Sequence, residues 1–168
     1  MELFKFQFDD DGQFPNSSLP VVIYKGFFSG GEAVRPDAYE RLLDTNGWGG
    51  GWRNGLFSYH HFHSTAHEAL CVYKGWADVR LGGEGGKTLR VEAGDVIILP
   101  AGVAHKNMGQ GAGFSVVGSY PTGQHPDMNY GRPGERPGVD ENIAAVRLPV
   151  ADPVSGSGGI IEYWADKA

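Results

Sequence analysis

Two stretches decide how this chain is read: Gly55–Gly75, GLFSYHHFHSTAHEALCVYKG, and Gly94–His105, GDVIILPAGVAH. Four of the six histidines fall between His60 and His67, and a fifth, His105, ends the second stretch. Side chains of a strand alternate between its faces, so His61 and His63 project the same way, about 6–7 Å apart. Two imidazoles at that spacing can lean onto one ion at about 2.0–2.1 Å. Glu68, after the short STAH turn, opens an alternating run and offers an oxygen from the adjacent strand. His105, beyond a Pro-Ala-Gly turn, can close the set from the opposite wall. Three neutral imidazoles and a carboxylate suit one divalent first-row metal, Fe, Mn, Ni, Co or Zn.

Parity extends the reading. Phe57 and Tyr59 share the face of His61 and His63, Leu70 and Val72 share that of Glu68, and Asn107 shares that of His105. The expected cavity has the metal at one wall and Tyr59 and Asn107 as its polar groups. Tyr59 is a candidate acid/base or substrate donor, and Asn107 a candidate outer partner for a ligand imidazole. His60 and His67 face outward on this register, although a one-residue bulge in the turn would bring His67 inward. Cys71 has outer-face parity and reads as a packed thiol. His125, on a later arm, is a candidate lid base.

The first stretch resembles the first cupin motif at Gly55, His61, His63, Glu68 and Gly75, and the second resembles the second cupin motif at Gly94, Pro100, Gly102 and His105. Nine of ten fixed positions agree; the tenth, where the pattern expects Asn, is Gly109, with Asn107 two residues early. The phrases LPVVIYKG, NGWGGGWRNG, HSTAHE, RLGGEGG, NYGRPGERPG and DENIA make the wider chain similar to the YjlB-like branch of small bacterial single-domain cupins. The resemblance implies an all-β double-stranded β-helix, the cupin jelly-roll barrel, with one short N-terminal flanking helix and a long C-terminal arm. It also implies a homodimer. It says little of the reaction, because one fold hosts many chemistries.

The rest of the chain fits one domain over 1–168: strands and helix in 1–54, a barrel core with both motifs in 55–120, and an arm in 121–168. With 27 Gly, 10 Pro and 40% hydrophobic residues, the 168-residue composition suits short strands joined by tight turns. Strands are expected at 3–8, 19–28, 56–63, 67–74, 76–81, 88–92, 95–99, 104–108 and 113–120. Gly30 and Gly31 lead towards a helix that starts at Pro36, with Asp37 in its first turn and Gly47 as its stop. Trp48 and Trp52, around three glycines, suit a barrel plug, a dimer contact or a substrate loop. GGEGGKT is a hairpin turn, since Leu81 stands where a phosphate loop needs Gly. Ser64 lacks a nucleophile-elbow pattern. In the Pro/Gly-rich arm, DENIAAVRLPV suits a short helix and strand, and GGIIEYW is expected to pack back.

A net charge of −6 without a Lys/Arg cluster argues against nucleic acid. The single cysteine, the lack of a signal-peptide pattern and of any long apolar run point to a cytoplasmic protein with no membrane partner. The functional expectation is a divalent-metal cupin, an oxygenase-like or isomerase-like enzyme on a small polar organic molecule. Alternatives are a non-catalytic module binding a small metabolite or sugar acid, and a metal-free isomerase using His and Tyr.

Overall fold

The computed structural model describes residues 1–29 and 34–165. The strands are β1 (Glu2–Phe8), β2 (Ser17–Lys25), β3 (Trp48–Asn54), β4 (Glu68–Leu81), β5 (Lys87–Glu92), β6 (Val96–Leu99) and β7 (His105–Pro121); the helices are α1 (Pro36–Thr45), α2 (Gly138–Ala145) and α3 (Ile160–Ala165). All pairings are antiparallel, in the order β1-β2-β6-β4-β7-β3, with β5 also on β4. The fold is an all-β jelly roll built around β4 and β7. Gly30 and Gly31 lie outside the described residues. Among the described residues no helix is long and apolar enough to cross a membrane.

Alternation builds two cores on opposite faces of the sheet. Val21, Ile23, Leu70, Val72, Ile97 and Val116 point inward together. Their neighbours Val22, Tyr24, Ala69, Cys71, Val96 and Ile98 point outward, where Tyr39 and Leu43 of α1 and Ile160 and Trp164 of α3 cover them. Each such aliphatic side chain, fully buried, contributes about 1.5–3 kcal/mol relative to exposure. Pro36 starts α1 as expected, and GGIIEYW packs back through Trp164, whose Nε1 donates to Pro20 O at 2.9 Å.

Several expected elements differ. The strands expected at 67–74 and 76–81 are one, β4, and those at 104–108 and 113–120 are one, β7. Register shifts between Val72 and Lys74 and between Lys74 and Trp76 bend the pair instead of breaking it. Gly75 permits this at φ 69°, where a Cβ would meet Gly111 O at 2.4 Å. The strand expected at 56–63 does not form a continuous ladder; isolated bridges, His61 to His105 and Phe62 to Asn129, and single backbone bonds from Asn107 N to Phe57 O and Gly102 N to His63 O hold that segment. The Gly-Trp loop is instead strand β3, paired with β7.

Candidate metal centre

Backbone bonds bring the two motifs together. His61 N donates to His105 O at 3.2 Å and His105 N to His61 O at 2.9 Å, so the two rings stand side by side, 4.1 Å between centroids. Gly102 N donates to His63 O at 2.8 Å, tying the Pro-Ala-Gly turn to the first motif. Gly102 has φ 100°, and a Cβ there would lie 2.2 Å from Asn16 O, so the close approach requires glycine. Glu68, first residue of β4, shares the inner face of Leu70 and Val72.

Each of the three imidazoles rests its Nδ1 on a backbone carbonyl: His61 on Tyr59 O at 3.1 Å, His63 on Asp127 O at 2.6 Å, His105 on Val103 O at 3.0 Å. A carbonyl only accepts, so the proton sits on Nδ1 and the Nε2 lone pairs are free to bind an ion. The ligand atoms of the three histidines lie within 4.8 Å of one another. Glu68 borders this group, its Oε2 lying 3.1 Å from His63 Nε2 and 3.2 Å from His105 Nε2. These contacts are off the hydrogen-bonding line, leaving Glu68 Oε2 and His105 Nε2 buried without a hydrogen-bond partner. Lone pairs facing a carboxylate in a dry site need a cation between them, either a proton or a metal ion. A divalent transition metal fits that donor set.

Protonation follows the same geometry. Burial, then the neighbouring His105, pushes His61 down to about 3. Burial opposes charge on His63 too, but the Glu68 carboxylate beside it prevails and pushes it up to about 9. Burial likewise opposes charge on Glu68, and the facing His63 overcomes it, holding the carboxyl well below its usual range. In a metal-free site one proton therefore sits on the His63–Glu68 pair.

The family described as Cupin matches residues 53–142. The chain is 36% identical over 160 residues to the uncharacterized protein YjlB of Bacillus subtilis (strain 168), covering 94% of this chain and 93% of that one. The chain belongs to the cupin family. Among solved structures it is similar to procruciferin, an 11S globulin from Brassica napus, at 13% identity and a TM-score of 0.41 over 84% of this chain and 40% of that one. It is also similar to RmlC, a dTDP-6-deoxy-D-glucose-3,5-epimerase from Legionella pneumophila Philadelphia 1 in complex with dTDP-4-keto-L-rhamnose. That likeness is 14% identity with a TM-score of 0.34, covering 71% of each chain.

The cupin's cavity, about 430 Å³, opens onto His61, His63 and Glu68. Two expected polar residues do not line it. Tyr59 is 42% exposed and stacks on Phe57 at 4.9 Å; it touches the outer side of His61 and lines a separate hollow with His60 and Tyr130. The missing strand explains this, since parity fails in a segment without a continuous ladder. Asn107 is buried, but it bonds Gln110 Oε1 at 2.7 Å and accepts from Gly109 N at 3.0 Å. Backbone carbonyls take the imidazole-orienting role expected of it.

His67 is a correction of another kind. It is buried, not outward, with Nδ1 accepting from Ala101 N at 2.9 Å and its ring 4.9 Å from Trp164. His60 is half-buried between Glu84 and Phe14. His125 lines a different hollow, with Arg147. Cys71 is packed in the outer core.

Two cavity residues, Tyr120 and Asp127, escaped the sequence reading, and Trp52, read as a barrel plug, dimer contact or substrate loop, lines the cavity with them. Trp52 Nε1 donates to Tyr120 Oη at 2.8 Å, and both side chains line the cavity. Burial, then the charge of Glu68, pushes the Tyr120 phenol up to about 12. Asp127 comes from the arm: its carboxylate accepts from Ser64 N at 2.6 Å and from Ser64 Oγ, and its N donates to Thr65 Oγ1 at 3.0 Å. These bonds fix the carbonyl that orients His63. Register shifts along β4 and β7 hide the side of Tyr120, and the arm has no periodicity to flag Asp127.

Proposed function

We propose that this cupin holds one divalent transition metal (Fe, Mn, Ni, Co or Zn) through His61, His63, Glu68 and His105, and is an oxygenase-like or isomerase-like enzyme acting on a small organic molecule. The observation that carries this is that three imidazoles anchored at Nδ1 gather around one buried carboxylate, with Glu68 Oε2 and His105 Nε2 left without a hydrogen-bond partner. When bound, such an ion supplies Lewis acidity at substrate oxygens. The chain's own part is to orient three imidazoles through Tyr59, Val103 and Asp127 carbonyls and to exclude water with apolar walls.

A second reading, a non-catalytic module for a small metabolite or sugar acid, draws on one observation. Apart from the ligand set, the cavity's titratable side chains are tied up or hard to ionise: Arg53 pairs with Glu40, Asp127 holds Ser64, and Tyr120 keeps its proton. The two readings part in one experiment. Metal-loaded and metal-stripped protein are incubated with small acids, diols and sugar acids, with native mass spectrometry reading binding and chromatography–mass spectrometry reading product. Product formed only by the loaded protein supports the enzyme. Retention without product supports the binding module, and turnover that survives stripping contradicts the metal's role.

A further inference from the structure

The walls around the candidate centre narrow what the cavity takes, an argument that rests on the metal reading above. We infer that Tyr120 is the hydrogen-bond donor to the cavity's ligand, and that this ligand joins an oxygen-rich, metal-binding head to an apolar, planar body.

The donor is built by three residues. Gly118 leaves a gap in β7, where a Cβ would come within 2.2 Å of the Trp52 ring, so the indole lies flat over the strand. From there Trp52 Nε1 donates to Tyr120 Oη at 2.8 Å, occupying an oxygen lone pair and leaving the phenol hydrogen free to donate. Among the described residues no acceptor bonds that hydrogen. Tyr120 is 8% exposed, and its ring stands edge-on to His63 with 6.2 Å between centroids. A buried donor this close to the ligand set is satisfied by what enters the cavity.

The remaining wall sets the body of the ligand. Trp52, Leu56, Phe57, Pro126 and Met128 make it apolar and partly aromatic. The one cation at the rim, Arg53, is engaged by Glu40, its Nε donating to Oε2 at 3.1 Å. Among the described residues no free cation of the wall is left to bind a second carboxylate, which disfavours a sugar acid and favours an uncharged ring. The volume of about 430 Å³ holds such a molecule.

Two probes with the same head test this on the cobalt-loaded protein: benzohydroxamate, which carries a ring, and acetohydroxamate, which does not. Calorimetry should find benzohydroxamate bound at least about tenfold more tightly in the wild type. Tyr120→Phe should weaken benzohydroxamate about five- to tenfold with unchanged cobalt content, and should lower the melting temperature only slightly, through loss of the Trp52 Nε1 acceptor. Trp52→Phe, which keeps the phenol but frees its orientation, should lose less. Equal affinity for the two probes, or a loaded Tyr120→Phe protein that binds as well as wild type, would overturn this inference alone. A wild type that takes up no cobalt would overturn the metal reading, and this one with it.

Discussion

Three residues separate His63 from His67; both are buried, yet their Nδ1 atoms face opposite kinds of group. His63 Nδ1 meets the Asp127 carbonyl, which accepts, so its proton sits there and Nε2 turns a lone pair towards Glu68. His67 Nδ1 meets the Ala101 N–H, which donates, so its lone pair is spent on the backbone while the ring packs on Trp164. The difference teaches that burial does not make a histidine a metal ligand. The backbone group behind the ring does, by choosing the tautomer.

Replacing each histidine tests that contrast most severely. His63→Ala should cost more metal affinity than the about 10–100-fold expected for loss of an outer partner, read by competition with a chelator. His67→Ala should leave affinity unchanged and instead destabilise the fold by about 1–3 kcal/mol in urea, because the Ala101 N–H loses its acceptor. A metal loss in His67→Ala would break the comparison.

Asp127 comes next. Asp127→Ala frees the carbonyl that holds His63 and should weaken metal binding about 10–100-fold, while Asp127→Asn, which still accepts from Ser64 N, should retain most of it. Equal loss in both variants would assign the effect to charge instead of positioning.

The pH dependence is sharper but smaller per step. A metal must displace the proton that His63 holds up to about 9, so affinity should rise with pH, by about tenfold per unit at most, and level off above that value. Without metal the sign is opposite. A raised histidine value stabilises the fold fully below 6.5, and that contribution is lost as pH rises through about 9. Melting the metal-free protein at pH 6.5 and at pH 9.5 checks this: stability should fall. The smallest effect is Asn107→Ala, which should cost about 0.5–1.5 kcal/mol of stability and no metal, since the Asn107 side chain bonds Gln110, Gly109 and Leu56 O and none of the ligands.

Much of this was legible in the chain because it depends on local spacing. Alternation separates Leu70 and Val72 from Ala69 and Cys71, and the two motif spacings bring four candidate ligands together. Two of the misses share one cause: parity holds only while pairing is regular. It fails for Tyr59, in a segment without a ladder, and for Tyr120, beyond the register shifts between β4 and β7. Asp127 and the burial of His67 depend on the arm and on α3 folding back across the sequence, which no local pattern encodes.

The central claim is that His61, His63, Glu68 and His105 hold one metal and His67 does not. The most direct measurement is elemental mass spectrometry of the wild type, of a His61→Ala/His105→Ala variant and of His67→Ala, prepared identically and after reconstitution. The account predicts about one equivalent of a divalent transition metal in the wild type and in His67→Ala, and its loss in the double variant. Metal absent from the reconstituted wild type, or retained by the double variant, would contradict it.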